Sequence, residues 1–171
     1  TEGPTGTALA FDGVDDYIQI PRDESLQVTS QMTLTVGLNH SGAHSGNYGG
    51  LWHDNRDSTS NRILLDNTGR ILSQVDIGGS VPNRDTTGRI AAGVWGTIDA
   101  SYDGAAYIHW LNGVADAPHP ASGDIDSPTG KSRWIGRGHP DTYWYKGEIA
   151  FVSLSSVARS SAWIAAQNAV L

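Results

Sequence analysis

Apolar and polar residues alternate in short runs along most of this chain, and the runs are separated by clusters of Gly, Asp and Asn. Successive side chains of a strand point to opposite faces, so this alternation is the pattern of strands half buried on a core. It predicts strands over Ala8–Phe11, Tyr17–Ile20, Met32–Asn39, Gly49–Asp54, Arg62–Asp66, Arg70–Asp76, Val94–Tyr102, Ala106–Leu111, Ser132–Ile135 and Lys146–Ser153. In Met32–Asn39 the apolar Met32, Leu34, Val36 and Leu38 face inward, leaving Thr35, Gly37 and Asn39 outward. Asp103-Gly104 and Asn112-Gly113 close strand-like runs with the positive φ that tight hairpins need, and Asn67-Thr68-Gly69 reads as a further turn. His40–Gly46 and Ala115–Thr129 are poor in core residues, and Pro118, Pro120 and Pro128 mark the second as a surface loop. Only the tail reads helical, with Ser160 as its cap and Trp163, Ala166 and Val170 at helical spacing. Many strands between turn signals predict a sandwich or barrel forming a single domain over residues 1–171.

Composition narrows the partners. The chain has 171 residues, enough for one sizeable core, and 38% are hydrophobic, an ordinary share for a folded domain. The formal charge of −7 argues against nucleic acid and anionic membrane. The absence of cysteine excludes disulfides, thiolate metal sites and thiol nucleophiles. No apolar run is long enough to span a membrane, and Thr1–Thr7 is too polar for a signal peptide, so membrane insertion is not expected.

Several stretches resemble the laminin-G-like (LamG), concanavalin A-like family: residues Ala8 to Pro21, Gly93-Val94-Trp95, Tyr102-Asp103-Gly104, Leu111-Asn112-Gly113-Val114, Ile135-Gly136-Arg137, Tyr145-Lys146-Gly147-Glu148-Ile149 and the ending Val157 to Ala166. No one of these is specific, but they run from end to end in the family's order. The resemblance implies an all-β, two-sheet antiparallel jelly-roll sandwich with a short C-terminal helix. It also implies a carbohydrate- or protein-binding role in an extracellular or cell-surface setting. Fold alone does not establish function.

The departures from the family pattern are informative. The family usually places an acidic residue near position 35 and Trp at 37, where this chain has Thr35 and Gly37, so a large side chain is missing at Gly37. Asp99 stands where Ala is usual, and Ile108 and Trp110 replace a long polar residue and Tyr. Ile149-Ala150-Phe151-Val152-Ser153 replaces Ile-Asp-Glu-Val-Arg. Asp99, Ser101, Ile108, Trp110, Phe151 and Ser153 are all expected on the outward face with Gly37. Apolar walls around one carboxylate make a pocket for a planar small molecule stacked on Trp110 or Phe151. A poorly solvated carboxylate gains basicity, so Asp99 is the candidate general base for proton abstraction, as in a Kemp-type elimination. Ser101, Ser153 or Gln74 would steady the departing charge. Such a pocket arises by natural divergence or by engineering of a binding scaffold, and the close adherence of the remaining chain to the family pattern favours engineering.

The alternative is a natural carbohydrate-binding module without catalysis, using an aromatic ridge of Tyr143, Trp144 and Tyr145. Glycosidase chemistry needs two positioned carboxylic acids, and Glu2, Glu24 and Glu148 are far apart in sequence. No cofactor is required. Calcium is a common structural ion in the family, and Asp12, Asp15 and Asp16 would supply hard oxygen ligands, although Ala150 replaces an acidic residue that often contributes. His40, His44 and His53 fit no metal signature and read as solvated loop residues, whereas His109 shares the core side with Tyr107 and Leu111.

Overall fold

The structure is a computed structural model that describes residues 2–4, 6–54, 61–126, 131–138 and 142–169. Two short strands, β1 (Glu2–Gly3) and β2 (Gly6–Thr7), pair with each other ahead of β3 (Leu9–Asp12) and β4 (Ile18–Ile20). A 3-10 turn at Glu24–Leu26 follows, then β5 (Met32–His40), β6 (Tyr48–Asp54), β7 (Arg62–Asp66), β8 (Ile71–Gln74) and β9 (Arg84–Asp85). The second half carries β10 (Gly96–Tyr102), β11 (Ala106–Leu111), β12 (Val114–Ala115), β13 (His119–Pro120), β14 (Arg133–Ile135), β15 (Arg137–Gly138), β16 (Tyr143–Trp144), β17 (Lys146–Ser155) and the helix α1 (Ser161–Asn168).

Two antiparallel sheets form a jelly-roll sandwich. The seven-stranded sheet runs β12-β11-β10-β5-β17-β3, with β13 also paired to β11, and the six-stranded sheet runs β4-β14-β6-β7-β8-β9. Met32, Leu34, Val36 and Leu38 of β5 meet Leu51, Ile63, Leu65 and Ile71 of the other sheet in the core. Val36 and Leu38 are completely buried, and each such side chain contributes roughly 1.5–3 kcal/mol through removal of apolar surface from water.

The hairpins form where turn chemistry predicts them. Asn112 and Gly113 both have positive φ, and Asp103 Oδ1 accepts hydrogen bonds from the amides of Ala105 and Ala106. The region 115–126 is less loop-like than its prolines imply: β12 and β13 both pair with β11, and Ile125 enters the core. Pro128 lies outside the described residues.

The tail corrects a sequence expectation. Ser160 does cap α1, accepting from the Trp163 amide at 3.2 Å. The buried residue, however, is Ile164, whereas Trp163 is 38% exposed and Ala166 is exposed too. Val170 lies outside the described residues. The docking face is therefore Ile164 and, one turn on, Asn168.

Candidate functional site

The pairing of β11, β10, β5 and β17 brings most of the predicted pocket residues onto one face. Asp99 is opposite Trp110 on one side and Thr35 on the other, and Ser101 is opposite Ile108. Gly37 is opposite Thr97 and Phe151, and Thr35 is opposite Ser153. Phe151 reaches this face because the ladder shifts between Ile149 and Phe151. That bulge inserts Ala150 and re-aims the next side chain. The space above Gly37 is filled by the Phe151 ring: a methyl there would stand 2.7 Å from Cδ1 and 2.9 Å from Cζ, with Cε1 nearer still. Gln74 is not part of this face. It lies on β8 of the other sheet, bonded to Arg62 Nε and Asn83.

The outward face is not open around Asp99. The chain from Val157 into α1 folds back over it. Thr33 Oγ1 donates to the Val157 carbonyl and accepts from the Arg159 amide, both at 2.9 Å. Thr97 Oγ1 donates to Asn168 Oδ1. Asp99 is left 1% exposed. Its Oδ1 accepts from Thr35 Oγ1 at 2.6 Å, while Oδ2 is buried without a well-formed hydrogen bond. Burial pushes the carboxyl up to about 6, against the opposing pull of the Thr35 hydroxyl and the nearby Asn168 amide. Trp110 is buried as well, and its Nε1 donates to Ser101 Oγ at 3.1 Å.

A second constellation sits on the outer face of the six-stranded sheet. Register places Gln19, Trp134, His53, Arg62 and Gln74 in one row across β4, β14, β6, β7 and β8. The β15–β16 hairpin lies over this face, with its backbone at Arg137–Gly138 directly against Gly50, where no side chain would fit. The hairpin brings three aromatic rings around one cation. The Arg137 guanidinium is 4.1 Å from the Trp134 ring centre, 5.0 Å from Tyr17 and 5.1 Å from Trp144. Tyr17 is 41% exposed, Trp144 and Tyr143 are half-buried, and Tyr143 packs edge-on against Tyr48. The Trp134 Nε1 donor is buried and has no acceptor among the described residues. Tyr145, expected on this ridge, is fully buried instead and stacks on His44.

A family match decides what this architecture is. The Laminin_G_3 family of the concanavalin A-like lectin/glucanases superfamily matches residues 12–165. The chain belongs to this concanavalin A-like superfamily. No curated protein matches it in sequence. Among solved structures, this lectin-like domain is similar to domain 4 of AbnA, an extracellular arabinanase of Geobacillus stearothermophilus, solved in complex with arabinotriose. Identity there is 20%, with 97% of this chain and 78% of that chain covered and a TM-score of 0.75. The carbohydrate-binding module CBM40 of the Ruminococcus gnavus IT-sialidase, bound to α2,3 sialyllactose, matches at 13% identity over 94% of this chain and 96% of that one, with a TM-score of 0.75. Mouse laminin α1 domains LG4-5 match at 16% identity over 90% and 44%, with a TM-score of 0.64. At these identities the likeness establishes the fold.

The remaining sequence candidates divide. Side-chain oxygens of Asp12, Asp15 and Asp16, all exposed, come within 4.8 Å of one another in the turn before Tyr17. Asp12 Oδ1 accepts from the Val14 amide and Asp16 Oδ2 from the Asp12 amide, leaving the other carboxylate oxygens of a hard-donor set that suits calcium. The histidines of the first half are not solvated loop residues: His40, His44 and His53 are all buried. His40 Nδ1 accepts from the Gly42 amide and closes a local turn, whereas His44 Nδ1 accepts from the Lys146 amide and ties its loop to β17. His109 is buried as expected, but it points across the core to Ser73 of β8, with Nε2 and Oγ 2.7 Å apart, and not toward Asp99's face. Among the described residues no helix is long and apolar enough to cross a membrane.

Proposed function

We propose that this lectin-like domain is a carbohydrate-binding module that stacks a sugar ring on Tyr17 and Trp144, at the rim where the β15–β16 hairpin meets β4. The observation that carries the reading is the gathering of Tyr17, Trp134 and Trp144 around the Arg137 guanidinium at a partly exposed surface. An aromatic face supplies apolar area at low entropic cost, and Tyr and Trp suit sites that are part apolar and part wet. Arg137 and the exposed Gln19 bring hydrogen-bond donors to the rim. Arabinotriose and sialyllactose on similar folds support a glycan as the ligand class. Asp12, Asp15 and Asp16 precede Tyr17 directly, so calcium held there would stiffen the loop that presents it. A glycan array followed by titration tests the reading: binding that is lost in Trp144→Ala and Tyr17→Ala supports it, and binding that survives both removes the site.

A second reading makes Asp99 a general base acting on a planar ligand against Trp110 or Phe151, with Ser101 or Ser153 steadying the charge. It is supported by the basic, desolvated carboxyl. Access opposes it, because the covering chain must move before a ligand reaches Oδ2. The comparisons support the lectin-like frame and lend nothing to an engineered pocket. The rate of benzisoxazole opening against pH, in the parent and Asp99→Asn, tests it. A rate that rises through about pH 6 and disappears in the variant supports catalysis, and no rate above buffer eliminates it.

A further inference from the structure

The outer face of the seven-stranded sheet holds a buried carboxylate with no charge opposite it. The elements packed around Asp99 are β5 with Thr33, Thr35 and Gly37, β11 with Ile108 and Trp110, its own strand with Thr97 and Ser101, and α1 with Asn168. Beyond β5, β17 adds Phe151 and Ser153. None of these side chains is charged. The nearest cation on the covering segment, Arg159, holds its guanidinium 4.9 Å from the ring of the partly exposed Trp163. Asp99 therefore has hydroxyl and carboxamide neighbours and no counter-ion among the described residues.

The covering helix is tied down by few groups. Ile164 is its one buried apolar residue. Its last turn is held by Asn168, whose Oδ1 accepts from Thr97 Oγ1 and whose Nδ2 donates to the Ile164 carbonyl at 2.9 Å. Asn168 and Ala165 also close on Gly113, where even a methyl would meet them at 3.3 and 3.4 Å. Thr97 and Asn168, the pair that holds the last turn, also line a groove of about 200 Å³ with Trp95, Gly96, Asn112 and Pro4. An eight-residue helix with one buried side chain has little stability of its own. Its docking is sensitive to the chemistry of the surface beneath.

We propose that Asp99 is a proton-operated latch for the C-terminal helix: α1 stays docked while the carboxyl is neutral, and ionisation of the carboxyl releases it. A neutral carboxyl donates one hydrogen bond and tolerates the apolar site, whereas a carboxylate without a counter-ion is driven toward water. Burial raises the docked carboxyl to about 6 from its ordinary value of 3.8. The sign follows: docking is strongest below about pH 4, weakens as pH rises through 6, and levels off above it. Release would uncover Trp110, Phe151 and the Asp99 carboxylate together. The proposal is independent of sugar binding at Tyr17 and Trp144.

Hydrogen exchange of the full chain between pH 4 and 8 tests the latch, with α1 amides read against β5 amides as an internal reference for intrinsic rate. The expected result is an opening constant for α1 that rises on the order of 50-fold across this range while β5 remains protected. In Asp99→Asn, and equally in the second non-ionisable variant Asp99→Leu, the rise disappears. Protection of α1 that is flat with pH in the parent, or that falls equally in a folded variant, overturns the proposal.

Discussion

Replacing Gly37 with alanine adds one methyl to the outer face of β5 at a point already occupied. Gly37 does not need positive φ, so the backbone accepts alanine, and relief of glycine's flexibility would by itself stabilise the strand by roughly 0.5–1 kcal/mol. The methyl would stand 2.7 Å from Phe151 Cδ1 and 2.9 Å from Cζ, whereas carbon atoms rest about 3.5–4.0 Å apart. The ring must retreat by about an ångström, and overpacking of this kind costs ~1–3 kcal/mol. Phe151 is only half-buried and swings outward more easily than a core ring, which favours the lower half of that range. Gly37→Ala is therefore expected to lose about 1 kcal/mol net. Phe151→Ala is expected to lose about 2 kcal/mol, less than the 3–5 of a fully buried phenylalanine. In the double variant the new methyl occupies part of the emptied space, so the loss is smaller than the sum by about 1 kcal/mol. Urea unfolding of the parent, the two single variants and the double variant completes the cycle. Gly37→Ala at or above parent stability with additive losses would show that the Phe151 ring does not rest on Gly37.

Other outcomes follow from the core and the acidic turn. Ser73→Ala leaves His109 Nε2 without its 2.7 Å partner and is expected to cost about 1–3 kcal/mol in urea unfolding; a neutral result would break the pairing across the sheets. Burial, with a smaller push from His119, holds the His109 imidazole down to about 3. Its folded value lies below the ordinary 6.5, so stability is lost as pH falls from 6.5 toward 3, by at most about 5 kcal/mol from this group. His109→Gln should flatten the acid limb of a stability–pH profile relative to the parent, and an unchanged limb contradicts the buried neutral ring. Calcium at millimolar concentration is expected to raise the thermal midpoint, with the gain reversed by chelator and missing in Asp15→Asn; an unchanged midpoint removes the ion from this turn.

The strands and their faces were legible because a two-residue period is a local property. The alternation in Met32–Asn39 assigns each side chain correctly, and the Asn112-Gly113 and Asp103-Gly104 turns end the strands where the chain reverses. What covers a face is not local. The stripe Trp163, Ala166, Val170 outweighs Ile164 on spacing alone, yet Ile164 is buried and Trp163 is not, because a short helix with three alanines has little contrast between its sides. Sheet membership is equally hidden: Gln74 sits on a well-read strand, but nothing in that strand's pattern assigns it to the sheet opposite Asp99. His40 and His44 resist reading because an imidazole that accepts from backbone amides looks, in sequence, like any polar loop residue, and His53 because it lies in a strand against Trp134. Trp144 was a visible candidate. Its partners Tyr17 and Arg137 were not, since they come from separate elements and meet only when the β15–β16 hairpin folds over β14.

The six tryptophans offer the most direct test of a glycan site at Tyr17 and Trp144. Each indole N–H gives its own NMR signal, and single Trp→Phe variants assign them. Titration with arabinotriose, then with sialyllactose and glycans identified on an array, should move the Trp134 and Trp144 signals together. Those of Trp52, Trp95, Trp110 and Trp163 should stay in place. A saturable shift confined to Trp95 or Trp110, or no shift at any indole with a glycan that binds the domain, would contradict the site.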